Sequence, residues 1–172
     1  MLQRLYIDRS QALTPAILRK IIQKFNTTNR ADILFTRGYY DGCNQRIMKK
    51  QNEDPTKPCN RIVRNFCLTI TQNFQGYLVG KGITYSAASD NDITALLDCL
   101  NANDIENSDS VWLKNALVSG VAYQLCYVNE NGDKCFRNLD SSSCFPIYSA
   151  DLDEKLLYFV SYTPIIDWTR ED

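Results

Sequence analysis

The chain has 172 residues, 44% of them hydrophobic and none of them histidine, with a formal net charge of −1. That length suits one domain burying about 70% of its unfolded surface, and the missing imidazole excludes Ser-His-Asp and Cys-His catalysis and histidine-ligated metals. No apolar run reaches the roughly 20 residues of a membrane span, and the start "MLQRLYIDRSQ" lacks a signal-peptide core, so the expectation is a soluble, intracellular chain with no membrane partner.

Thr14-Pro15 signals a helix start, a capping hydroxyl followed by proline at the first helical position. Ile17, Leu18, Ile21, Ile22 and Phe25 then recur at helical spacing and predict an amphipathic helix ending near Asn26. A second, less regular helix is expected over residues 29–49, broken around Gly38 and Asp41-Gly42. The polar stretch "QNEDPTKPCN" carries two prolines and reads as a loop. It divides an N-terminal helical arm, residues 1–50, from a body, residues 51–172.

Asn60 is the expected cap of the next helix, whose residues Ile62, Val63, Phe66, Ile70, Phe74, Tyr77 and Leu78 form a broad apolar face. Arg61 and Arg64 then fall at its start, where the helix dipole disfavours cations. They are candidates for a subunit-interface or DNA-phosphate contact, beside the plainer reading of solvated surface residues.

The segment "GYLVGKGI" superficially resembles a phosphate-cradling loop. Its glycine spacing is one residue short, Gly82 follows Lys81 where Ser or Thr is needed, and a helix precedes it where a strand should. Gly76, Gly80 and Gly82 are therefore read as a structural turn with a left-handed glycine ending the helix, and Lys81 as a cation near its carbonyls and, with Arg61 and Arg64, a candidate for a subunit-interface or DNA-phosphate contact. "ITYS" follows as a short strand candidate. Asp90 is expected to open a helix bearing Ile93, Leu96, Leu97 and Leu100, and Ser108 or Asp109 another bearing Val111, Trp112, Ala116 and Leu117.

From Val121 the period changes to that of strands. "VAYQLCYV" and "KCFRNL" flank Asn131-Gly132, a two-residue hairpin signal that would set Val128 opposite Cys135 and make Cys126 and Cys135 diagonal neighbours. "CFPIY" and "EKLLYFVSYT" supply further strands. The fold class is α+β: a helical N-terminal half, then helices on a small antiparallel sheet with a hairpin. The closing "PIIDWTRED" offers no completing element, so the chain is expected to continue in something longer.

Charge is divided along the chain. Residues 1–81 hold 14 Lys and Arg against 5 Asp and Glu, a net of +9; residues 82–172 hold 5 against 15, a net of −10. Such a division suits nucleic acid, an acidic partner, a second copy of the chain, or two halves facing each other within one fold. The seven cysteines are odd in number and show no C-x-x-C spacing, which argues against a disulfide scaffold and a zinc knuckle. Asp90 with Asp92, or Asp151 with Asp153, are the carboxylate pairs an enzyme could use, although capping and turn formation already account for them.

Three stretches resemble the portal proteins of tailed bacteriophages in the branch found in phages and prophages of Gram-positive bacteria. They are "NRIVRNFCLTITQNFQGYLVGKGITYS" (Asn60–Ser86), "WLKNALVSGVAYQLCYVNENGDKCFRNLD" (Trp112–Asp140) and "CFPIYSADLDEKLLYFVSYT" (Cys144–Thr163). Order, spacing and residue types agree over nearly the whole chain. Gly82 stands where that family often has proline, and Asp140-Ser141 replaces an Asp-Pro. The resemblance implies the N-terminal arm and wing of a structural, non-enzymatic subunit without cofactors, in a ring of twelve copies at a capsid vertex. It further implies that double-stranded DNA passes through the ring. Terminase, scaffold or major capsid protein and head-completion proteins are the implied partners, in the virion and, during assembly, in the host cytoplasm. The competing readings are a nucleic-acid-binding module built on the basic half and a non-functional prophage remnant.

Overall fold

Thr14 caps the first helix as its hydroxyl dictates: Oγ1 accepts the Ile17 amide at 3.4 Å, and Pro15 occupies the first turn. The computed structural model describes residues 2–51, 54, 56–88 and 92–163. In chain order these form β1 (Leu5–Ile7), α1 (Pro15–Thr27), α2 (Asn29–Tyr40), α3 (Gln45–Met48), α4 (Phe66–Val79), α5 (Thr94–Ala102) and α6 (Ile105–Ser119). The strands β2 (Tyr123–Val128), β3 (Lys134–Leu139), β4 (Cys144–Ser149) and β5 (Leu156–Ser161) follow. This is the expected α+β class.

The strands make two sheets. One has the order β1-β4-β5, with β1 parallel and β5 antiparallel to β4; the other is the β2–β3 hairpin. β1 has no counterpart among the sequence expectations. Its three residues carry too little alternation to read, yet Leu5 and Ile7 point inward beside Ile147 and Phe145. α1 lays Phe25 on this sheet, with the Phe25 and Phe145 rings 4.5 Å apart and each only 1% exposed. Tyr162 closes the edge of the cluster, its hydroxyl donating to Asn26 Oδ1 at 2.6 Å. Residues of the expected arm thus share one core with the last two strands.

Several local expectations change. α4 begins at Phe66, six residues after Asn60, because Asn65 is the cap: its Oδ1 accepts the Leu68 amide at 3.0 Å while its Nδ2 donates to the Tyr40 carbonyl at 2.7 Å. A cap that also ties two elements together is favoured over one facing solvent. Gly80 ends α4 with φ −67°, in right-handed rather than left-handed conformation. What restricts it is space, since an added Cβ would lie 2.2 Å from the Gly76 carbonyl oxygen. "ITYS" forms no strand, and α6 begins at Ile105, three residues before Ser108, behind Asp104 in left-handed conformation. Asp90 lies outside the described residues, as does the whole of "PIIDWTRED".

The hairpin turns at the expected place with a different register. Tyr127 pairs with Cys135, and Cys126 with Phe136. Asn129 is the cause: its amide donates to the Asp133 carbonyl and its side-chain Oδ1 accepts the Asn131 and Asp133 amides at 2.9 Å each. A three-residue loop results, with Gly132 at φ +88° supplying the left-handed step. Cys126 and Cys135, one register step apart, therefore project to opposite faces. All seven cysteines are free thiols, and Cys43, Cys67 and Cys126 are exposed.

Candidate subunit interface

α4 is turned inside out relative to its sequence pattern. Thr71 is buried, and Gln75 donates through Nε2 to the Ser110 carbonyl (3.2 Å) and hydroxyl (2.6 Å) of α6, so polar residues hold the inner side. At about 100° per residue, Phe66, Ile70, Phe74 and Tyr77 share the opposite side. All four are exposed, Phe74 at 52% and Tyr77 at 88%. The apolar face expected to enter the core is a surface stripe. Periodicity revealed the stripe but not what covers it.

The structure places the three basic candidates at the ends of this helix. Arg61 precedes it in an extended segment, with Nε donating to the Lys50 carbonyl at 3.1 Å, and Arg64 stands immediately before the Asn65 cap. Lys81 follows the C-terminus. Arg64 and Lys81 are separated by the full length of α4, about 21 Å for its 14 residues. They flank the stripe rather than meeting at one point. Neither enters a salt bridge among the described residues. Gly76 lies within α4, Gly82 faces Glu106, and Asn131 and Gly132 sit in the hairpin loop.

A charged cluster that sequence reasoning did not single out joins α2 to the β3–β4 turn. Arg37 donates to Asp140, Ser142 and Ser119 from its Nη2, Nη1 and Nε. Burial pushes the Asp140 carboxyl up, but the hydrogen bonds from Arg37 and from the Ser142 amide and hydroxyl outweigh it and hold the group down at about 2. The signal available was Asp140-Ser141-Ser142, a turn in which the carboxylate accepts an amide two residues on.

The carboxylates nominated for catalysis are occupied with local structure. Asp92 accepts the Thr94 amide at 2.9 Å, Asp151 accepts the Ser149 hydroxyl at 2.5 Å, and Asp153 pairs with Lys155 at 3.2 Å. Hydrogen bonds from Thr94 and Ser149 lower the Asp92 and Asp151 pKa values, the wrong direction for a general acid. Among the described residues no three His, Cys, Asp or Glu side chains group to hold a metal ion, and no helix is long and apolar enough to cross a membrane.

Among the described residues, the exposed apolar stripe of α4 is the feature left without a local role. The family model for phage portal proteins of the SPP1 Gp6-like type matches residues 19–172. The chain belongs to that portal family. No curated protein matches the chain. Within the portal match lie α4, its exposed stripe, the flanking Arg61, Arg64 and Lys81, the Arg37–Asp140 cluster and both sheets apart from β1. β1 and the first turn of α1 precede the matched span yet complete the central core.

Proposed function

We propose that the chain serves as a structural subunit of a phage portal ring at the capsid vertex, a conduit for double-stranded DNA during packaging and ejection and a docking site for the terminase. The observation that carries this reading is the portal-family match over residues 19–172. In this reading residues 51–172 correspond to the wing-like body, anchored through β1 and α1 of the first 50 residues. Arg61, Arg64 and Lys81 act as subunit-interface or phosphate-facing cations. No catalysis and no cofactor are assigned; the scaffold or major capsid protein and head-completion proteins are the further partners.

The surface supports an assembled state. Phe66, Ile70, Phe74, Tyr77 and Leu78 of α4 all stand exposed, between 52% and 88%. Large exposed apolar area is the mark of a surface that meets protein.

The test is genetic. Deleting the gene from its phage should leave heads empty of nuclease-protected DNA, and restoring it should refill them. Heads that fill normally without it would remove the portal reading in favour of a remnant.

A further inference from the structure

We infer that the exposed stripe of α4 seats in the groove between α5 and the β2–β3 hairpin of a second copy of this chain, joining copies head to tail. The inference deepens the portal reading, on which it rests, by naming the two faces that meet.

The two faces lie on opposite flanks of α6. Ser110 receives Gln75 of α4, whereas Ser108 receives Gln124 of β2 (3.1 Å) and Asn138 of β3 (2.8 Å to its carbonyl). Residues two apart on a helix are turned by about 200°, so α4 and the hairpin sit on nearly opposed sides of it. The stripe of Phe66, Phe74 and Tyr77 faces away from α6 on one flank, with Ile70 at its edge beside Leu117 of α6. On the other flank a groove of about 530 Å³ runs between α5 and the hairpin. Ala95, Cys99, Ala102 and Cys135 line it with small or soft side chains, and Asp98 and Asp133 stand beside them with Lys134. Asn103 holds the walls together, its Nδ2 donating to the Lys134 carbonyl at 2.8 Å and its Oδ1 accepting the Phe136 amide at 3.0 Å.

Charge chooses the occupant. The stripe is bracketed by Arg61 and Arg64 at one end and Lys81 at the other, within the half of the chain that is net +9; the groove belongs to the half that is net −10, with Asp98 and Asp133 in its lining. A surface that is basic and apolar on one flank and acidic on the other is complementary to itself in translation. Opposed and dissimilar faces give a heterologous contact, which closes into a ring when the rotation per copy allows.

The experiment is light scattering of the purified full chain across a concentration series, alone and mixed. A stripe variant, Phe74→Glu with Tyr77→Glu, and a groove variant, Ala95→Arg with Asp98→Arg, each alter only exposed positions. Each alone should weaken self-association by about tenfold or more. Mixed in equal amounts they should form heterodimers and nothing larger, because one intact stripe and one intact groove remain. High salt should weaken the wild-type association. Tyr77→Lys is the second stripe variant should the double substitution disturb the circular dichroism spectrum. A wild-type chain that stays monomeric, variants that associate like wild type, or a mixture that stays monomeric would each overturn the inference. These outcomes are independent of whether heads fill with DNA, which decides the portal reading.

Discussion

Arg37 Nη2 lies 2.5 Å from Asp140 Oδ1, fastening the last turns of α2 to the turn that leads from β3 into β4. The same guanidinium reaches Ser119 at the end of α6. Three elements distant in sequence converge on one side chain.

Acid should loosen this clamp within a defined window. The Asp140 pKa is depressed from 3.8 to about 2, so its contribution is complete above the unfolded value near 3.8 and is lost as pH falls through about 2. The carboxylate is half exposed, so the contribution is discounted for solvent screening to about 1 kcal/mol. Arg37→Ala should cost about 1–2 kcal/mol at neutral pH and flatten the stability profile between pH 4 and 2. Chemical denaturation across that range measures both effects.

Aromatic residues should divide sharply by position. Phe145→Ala removes a ring stacked 4.5 Å from Phe25 in the core and should cost about 3–5 kcal/mol. Phe74→Ala, on the outward face of α4, should leave the midpoint of the dilute chain within about 0.5 kcal/mol of wild type. Equal losses at the two positions would contradict the orientation of α4.

The capping residue of α4 is open to a paired substitution. Asn65→Ala loses the bond to the Leu68 amide and the bond to the Tyr40 carbonyl, and should destabilise by about 1–3 kcal/mol. Asn60→Ala, at an exposed position outside the helix, should be near neutral. Thermal melts of the two variants separate these cases.

Two glycines should resist alanine for different reasons. At Gly132 an added Cβ meets nothing within 4 Å, so the cost is the left-handed backbone alone, about 1–2 kcal/mol. At Gly80 the backbone is ordinary, but the Cβ would crowd the Gly76 carbonyl, and relief requires the end of α4 to move. Hydrogen exchange should then rise over the last turn of α4 in Gly80→Ala and stay unchanged there in Gly132→Ala.

Elements whose signal is local were readable from sequence. Thr14-Pro15 marked α1, and the alternating runs around Asn131-Gly132 and Cys144 marked β2, β3 and β4. Features decided by distant partners were not. Asn60 and Asn65 carry the same capping chemistry, and only the Tyr40 carbonyl distinguishes them. "ITYS" has strand-forming residues but no strand beside it. The α4 stripe has the period of a core face, and it takes the buried Thr71 and the Gln75–Ser110 contact to show that the opposite side is the one that packs. The Arg61, Arg64 and Lys81 candidates were chosen for charge; their placement at the two ends of α4 followed from where that helix begins.

The parallel pairing of Leu5 with Ile147 carries a kinetic consequence. About 140 residues must leave the ribosome between the two partners, which at 5–20 residues per second takes roughly 7–30 s. Throughout that interval the apolar side of α1 has no β4 to cover it, and the non-local closure adds to the folding barrier. The first strand of the chain is therefore among the last to dock, and a nascent chain stalled before Ile147 would present Phe25 to chaperones rather than to its own core.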